Sequence, residues 1–183
     1  MIGMIKASFA CLNKKMFLNL YKSLIRPLLE YCVQVWSPHL NKYIRLIEGV
    51  QRRATRLVPE LRELPYEERL KQLKLTTLEE RRVRGDMIET YKIITRKEKV
   101  NPENYFQLQP DREGPRARDK KIYKKFAKKD VRRLSFTLRV TNGWNCLTNE
   151  MVNARKTSEF KARLDAFTAA RTLARNYGVY TWE

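Results

Sequence analysis

The sequence predicts a mainly α-helical protein: a helical bundle, then a basic segment with scope for a short β-hairpin, then C-terminal helices. Three observations lead there. Apolar residues recur at three- and four-residue spacing through most of residues 14–94, the period of a helix with one buried face. Helix-start signals punctuate that stretch at Pro65 and at Thr76-Thr77. After residue 100 the period is lost among prolines and lysines.

The first helix is expected from Lys14 to Val35. Phe17, Leu20, Leu24, Leu28 and Val35 share a face, with Tyr21, Ile25 and Cys32 beside them. Pro27 removes one helical hydrogen bond and crowds the carbonyl of Ser23, so a kink or break is expected near Ile25–Arg26. Ser37-Pro38 ends the element, because the residue before proline is pushed out of the helical region. A second helix over Lys42–Leu57 puts Tyr43, Ile47, Val50, Ala54 and Leu57 on its core face. Arg45, Arg52, Arg53 and Arg56 point elsewhere. The third opens at Pro65 and runs through YEERLKQL. The fourth starts at Thr76-Thr77 with Glu79 and Glu80 as a capping box, and ends near Thr95 with Leu78, Met87, Ile88, Tyr91 and Ile94 inward.

These helices make residues 1–100 one thumb-like bundle. Residues 101–119, with three prolines, one glycine and no periodicity, read as a linker. Residues 120–183 form a basic extension whose β-branched and aromatic residues up to 140 would supply two short strands. Ser158 would cap a terminal helix with Phe160, Leu164 and Phe167 on one side.

Charge says most about function. The 183 residues carry 39 Lys+Arg against 20 Asp+Glu, a net +19, which calls for a polyanionic partner. Nearly half of the excess sits in residues 115–140, where eleven basic and two acidic side chains alternate with Tyr123, Phe126 and Phe136. Lys/Arg neutralise phosphates and aromatic rings stack on unpaired bases. The candidate contacts there are Arg116, Arg118, Lys120, Lys121, Lys124, Lys125, Phe126, Lys128, Lys129, Arg132 and Arg133. A nuclear-targeting signal or a plain solvated run is the competing account. Arg45, Arg52, Arg53 and Arg56 form a second candidate surface, which Arg81, Arg82 and Arg84 would join in space. Ion pairing along a solvated face competes with phosphate contact there.

Other chemistry is poorly supplied. The five aspartates are scattered, and Glu67-Glu68 and Glu79-Glu80 fit helix starts better than a two-metal site. Three cysteines and one histidine, His39, show no metal-ligand spacing and no disulfide framework. No glycine-rich phosphate loop occurs, and no nucleophile has a visible base. Neither enzyme activity, cofactor nor small-molecule substrate is expected. No transmembrane segment is expected either, because Lys22, Arg26 and Glu30 cross the most apolar window. The N-terminus lacks the pattern of a secretory signal, which points to nucleus or cytoplasm.

FLNLYKSLIRPLLEYCVQVWSPHL, LIEGVQRRATRLVPELRELPYEERLKQLKLTTLEERRVRGDMIETYKI, LRVTNGWNCL and SEFKARLD together resemble the C-terminal portion of non-LTR retrotransposon reverse transcriptases, nearest the jockey-like lineages. The resemblance spans about Ile2 to Phe167, and the block from VQRRATRLVP to LEERR is its most specific part. It implies the thumb helices and post-thumb extension that follow the polymerase palm. The palm's paired aspartates do not occur here, so no catalytic residue carries over. What the resemblance implies instead is a non-catalytic piece that holds RNA, or an RNA/DNA template–primer, by its backbone, with an upstream palm domain as partner. The apolar helix through Trp36 would pack the bundle while QRRATR faces the sugar–phosphate backbone. A different class of reading is a helical protein-interaction module for an acidic protein or a membrane surface.

Overall fold

The computed structural model describes residues 1–9, 11–110 and 120–176, with side chains through 170. Among these residues every regular element is helical, and the sole β feature is one antiparallel bridge, Leu108 to Ile122. The mainly α class is therefore as the sequence predicts. No helix among the described residues is long and apolar enough to cross a membrane. Two compact units divide between Val83 and Arg84.

The first unit opens with α1 (Ile2–Ser8), which the sequence reading passed over. Asn13 caps α2 (Lys14–Leu20) by accepting from the Met16 amide at 2.8 Å. The expected disturbance at Pro27 is a π-helical turn, Tyr21–Ile25, in which the Arg26 amide reaches back five residues to Tyr21. The widened turn relieves the proline ring of its conflict with the Ser23 carbonyl, and α3 (Arg26–Leu29) continues. It stops at Leu29 rather than Val35. Cys32 adopts a left-handed conformation (φ 48°) and its carbonyl accepts from Trp36, turning the chain out of the helix. Helical spacing alone could not reveal that turn.

The face predicted for this helix is accordingly only half buried. Phe17, Tyr21 and Ile25 join Ile5, Leu12, Ala54, Val58, Leu61 and Leu73 in one core. Leu24, Leu28, Val35 and Trp36 stay exposed, Val35 at 85%, so these four do not pack the bundle as expected. In α4 (Asn41–Thr55) Ala54 is fully buried, but Tyr43 is half exposed. A polar network lies under this helix. The Gln51 amide donates to the Tyr66 hydroxyl (2.9 Å) and the Thr76 carbonyl (3.0 Å), and it accepts from the Tyr21 hydroxyl. Tyr66 in turn donates to Glu48, whose other oxygen accepts from the Leu78 amide at 2.9 Å. These bonds tie α4 to α5 (Tyr66–Leu73) and to the start of α6 (Leu78–Ile94). Burial lifts the Tyr21 and Tyr66 hydroxyls above the ordinary tyrosine range, with the charge of Glu30 adding to Tyr21 and the bond to Glu48 adding to Tyr66. The capping box at α6 is reciprocal: the Thr77 amide donates to Glu80 and the Glu80 amide to Thr77, both at 3.2 Å.

In the second unit the rest of α6 lays Met87, Ile88, Tyr91 and Ile94 into a core with Phe106, Ile122, Phe136, Trp144, Phe160 and Leu164. Tyr91 stacks on Phe160 with centroids 4.2 Å apart. That packing moves the division to Val83/Arg84, away from the expected linker at 101–119. Residues 101–110 are not a free tether either, since Phe106 is buried and Leu108 pairs with Ile122. The expected hairpin within 120–140 is replaced by α7 (Asp130–Arg133) and α8 (Phe136–Asn145). Phe136, Val140 and Trp144 recur every four residues, a helical stripe that a reading stopped at 140 cuts short. After α9 (Asn149–Val152), α10 (Thr157–Asn176) buries Phe160 and Leu164 and half-buries Phe167 as predicted. It begins before Ser158, and Glu159 binds the preceding Arg155 amide at 2.9 Å in the way expected of a cap.

Candidate nucleic-acid interface

On α4, Arg45, Arg52 and Arg53 are exposed, as is Arg56 at its C-terminal cap. Positions 45, 52 and 56 fall on one stripe at helical spacing, and Gly49 lies on the same stripe between them. A Cβ at Gly49 would meet nothing within 4 Å, so the stripe has an open notch. None of the four arginines forms an ion pair among the described residues. Arg52 covers the Tyr66 ring, its guanidinium carbon 4.8 Å from the centroid.

In the second unit the basic segment begins at an anchored root. Trp144 donates its indole N–H to the Lys120 carbonyl at 2.9 Å. Asn145 accepts from the Ile122 amide (3.0 Å) and donates to the Ile122 carbonyl (2.9 Å). The Gln109 amide donates to Lys121 and the Tyr123 amide to Gln107, each at 2.7 Å. Lys120 and Lys121 are therefore half-buried at the root, with the Lys120 ammonium 2.9 Å from Asn153. Beyond the root Lys124, Lys125, Lys128, Lys129, Arg132 and Arg133 are exposed, and Phe126 is 88% exposed. Among the described residues only Arg133 of these is ion-paired, to Asp130 at 3.0 Å on the open surface. A polar groove borders this run, lined by Tyr105, Gln107, Tyr123, Lys125, Arg132 and Thr137. Five cations without an ion pair among the described residues thus lie with an exposed ring on one short segment, and two of them, Lys125 and Arg132, line the polar groove.

The chain matches no protein-family model, no curated protein and no solved structure.

Several expected members drop out of the interface. Arg116 and Arg118 lie outside the described residues. Phe136, counted among the interleaved aromatics, packs edge-on against Phe106 in the core. Arg139, within the same basic run, makes a two-pronged bond to buried Asp86 at 2.8 and 3.0 Å. Arg81 pairs with Glu30 and Arg84 with Asp165, while Arg82 is buried, so none of the three extends the α4 surface as supposed. Periodicity alone placed these side chains on a polar face; their carboxylate partners lie far away in sequence.

Other residues escaped the sequence reading. Trp144 and Asn145, which hold the root, sit on a helix that the reading did not draw. Arg69 is 1% exposed on the inner side of α5. Its spacing could have shown it: three after Tyr66 and four before Leu73, it shares their apolar face.

Proposed function

We propose that this chain is a non-catalytic nucleic-acid-binding piece that holds RNA, or an RNA/DNA template–primer, by its phosphates. The observation that carries it is the exposed cluster Lys124, Lys125, Lys128, Lys129 and Arg132 around the solvent-facing Phe126, on a segment whose root is pinned to α8. Exposed lysines on an anchored root suit backbone neutralisation, which positions a strand without reading its sequence. The resemblance to the thumb region of non-LTR reverse transcriptases supports the template–primer form of this reading, with an upstream palm domain as partner and nucleus or cytoplasm as its place of action.

The test is the salt dependence of binding to single-stranded RNA. Replacing the five cations by glutamine should flatten the log–log slope by about 3.5, since each single-strand phosphate contact is worth about 0.7. A variant that binds as tightly as the parent at every salt concentration sinks the assignment to this segment. A second reading, a protein-interaction module, is favoured by the apolar side chains left open in the first unit: Leu28, Tyr31, Val35 and Trp36. It predicts RNA-independent capture of a partner, lost on substituting Val35 and Trp36 by glutamate and untouched by the five glutamines.

A further inference from the structure

Arg69 presents a problem that the fold does not solve. It is 1% exposed, yet its Nε and Nη1 have no hydrogen-bond partner. A buried guanidinium without an acceptor is costly, and native structures supply one by a carboxylate, a carbonyl, water or a ligand. Nothing nearby offsets the charge well. Its carbon lies 5.6 Å from the Tyr66 ring centroid, the ring that Arg52 covers from α4. It sits in the first half of α5, where the helix dipole is positive and unfavourable to a cation. Burial first, and then the charge of Arg56, lower its pKa; Tyr66 opposes this in part, and Arg52 adds a smaller lowering. Two guanidiniums, those of Arg52 and Arg69, thus lie over one tyrosine ring, the charge of Arg56 acts on Arg69, and no ion pair joins any of the three to a carboxylate among the described residues. The hydroxyl of that ring is held by Glu48 and Gln51, so the platform is fixed. Arg52 and Arg56 are long exposed side chains, able to swing aside for an anion and close on it.

We propose that Arg52 and Arg69, over the Tyr66 ring, together with Arg56 form a phosphate-binding site, with Arg69 as its inner floor. Planar forks suit the tetrahedral oxygens of a phosphate better than ammonium groups would. The phosphate can come free or as a phosphodiester of a nucleic acid; the chemistry of the site is the same. The site stands in the first unit whether or not residues 124–132 bind RNA.

The experiment is thermal unfolding of the full chain in inorganic phosphate against chloride of equal ionic strength, which cancels general screening of the +19 charge. Phosphate at about ten times its Kd should raise Tm by about 4 °C over chloride. Arg69→Met fills the same volume without the unpaired charge; it should keep or raise Tm in chloride and lose the phosphate increment. Arg52→Gln/Arg56→Gln changes surface residues alone and should weaken phosphate at least about tenfold, which keeps the test decisive if Arg69→Met misfolds. The five-glutamine variant of residues 124–132 should keep the full increment. Displacement of phosphate by a short RNA assigns the site to a phosphodiester; retention in saturating RNA assigns it to a free phosphate. The proposal is overturned by equal Tm in phosphate and chloride, by an increment that persists in Arg52→Gln/Arg56→Gln, or by its loss in the five-glutamine variant. Equal stabilisation by acetate or glutarate overturns the preference for phosphate.

Discussion

Phe126 is a large apolar side chain that the folded chain leaves in water, between lysines that repel one another. A stacked base would cover it, so Phe126→Ala should weaken single-stranded RNA binding by about 1–3 kcal/mol with the salt slope unchanged, as read by titration at several salt concentrations. An altered slope would mean that the ring only shapes the path of the lysines. Asp86 is the opposite case, a charge taken out of water. Burial pushes its carboxyl above the ordinary carboxylate value, and the two bonds from Arg139 offset this only in part. The folded state therefore holds the Asp86 proton more tightly than the unfolded chain does. As pH rises from the ordinary carboxylate value through the raised one, this group's contribution to stability falls, and above it the loss is complete. Asp86→Asn should lack that falling step in urea unfolding across acid pH. At neutral pH it should keep or raise stability, because the folded state already favours the uncharged side chain and the asparagine oxygen can still accept from Arg139.

At the level of elements, α4 carries a residue that weakens it. Gly49 costs a helix interior up to about 1 kcal/mol relative to alanine, and no neighbour requires the missing Cβ. Gly49→Ala should raise stability by about 0.5–1 kcal/mol in denaturant unfolding. If the arginine stripe lies against a phosphate backbone, the same methyl should lower nucleic-acid affinity, because it fills the notch. A stabilised variant with unchanged affinity would remove α4 from the interface. The helices themselves were legible where local chemistry fixes them. Pro65, the Thr77–Glu80 box and the Phe160–Leu164–Phe167 stripe each act within a turn or two of the chain. The early end of α3 was not legible, because Leu24, Leu28 and Val35 fit a helical stripe and only the left-handed Cys32 breaks it. The basic surfaces were partly legible for a related reason. Exposure of Lys124–Lys129 follows from their composition, whereas Arg81, Arg84 and Arg139 are claimed by carboxylates 51, 81 and 53 positions away.

For the whole molecule, the class was legible and the division was not. Proline-rich sequence at 101–119 resembles a boundary, yet the two cores meet the chain on either side of Val83/Arg84, inside one uninterrupted helix. A periodic pattern reports that a helix has a buried face and says nothing about which core each turn enters. The bonds at the root of the basic segment carry a consequence for time rather than place. The Ile122 and Tyr123 amides are both engaged, by Asn145 and Gln107, whereas no hydrogen bond among the described residues occupies the amides of residues 124–128. In deuterated water the label should therefore enter residues 124–128 within seconds and reach Ile122 and Tyr123 only when the second unit opens. An edge that sharp makes Tyr123 a clock for the core and Lys124 a clock for the solvent, one peptide bond apart.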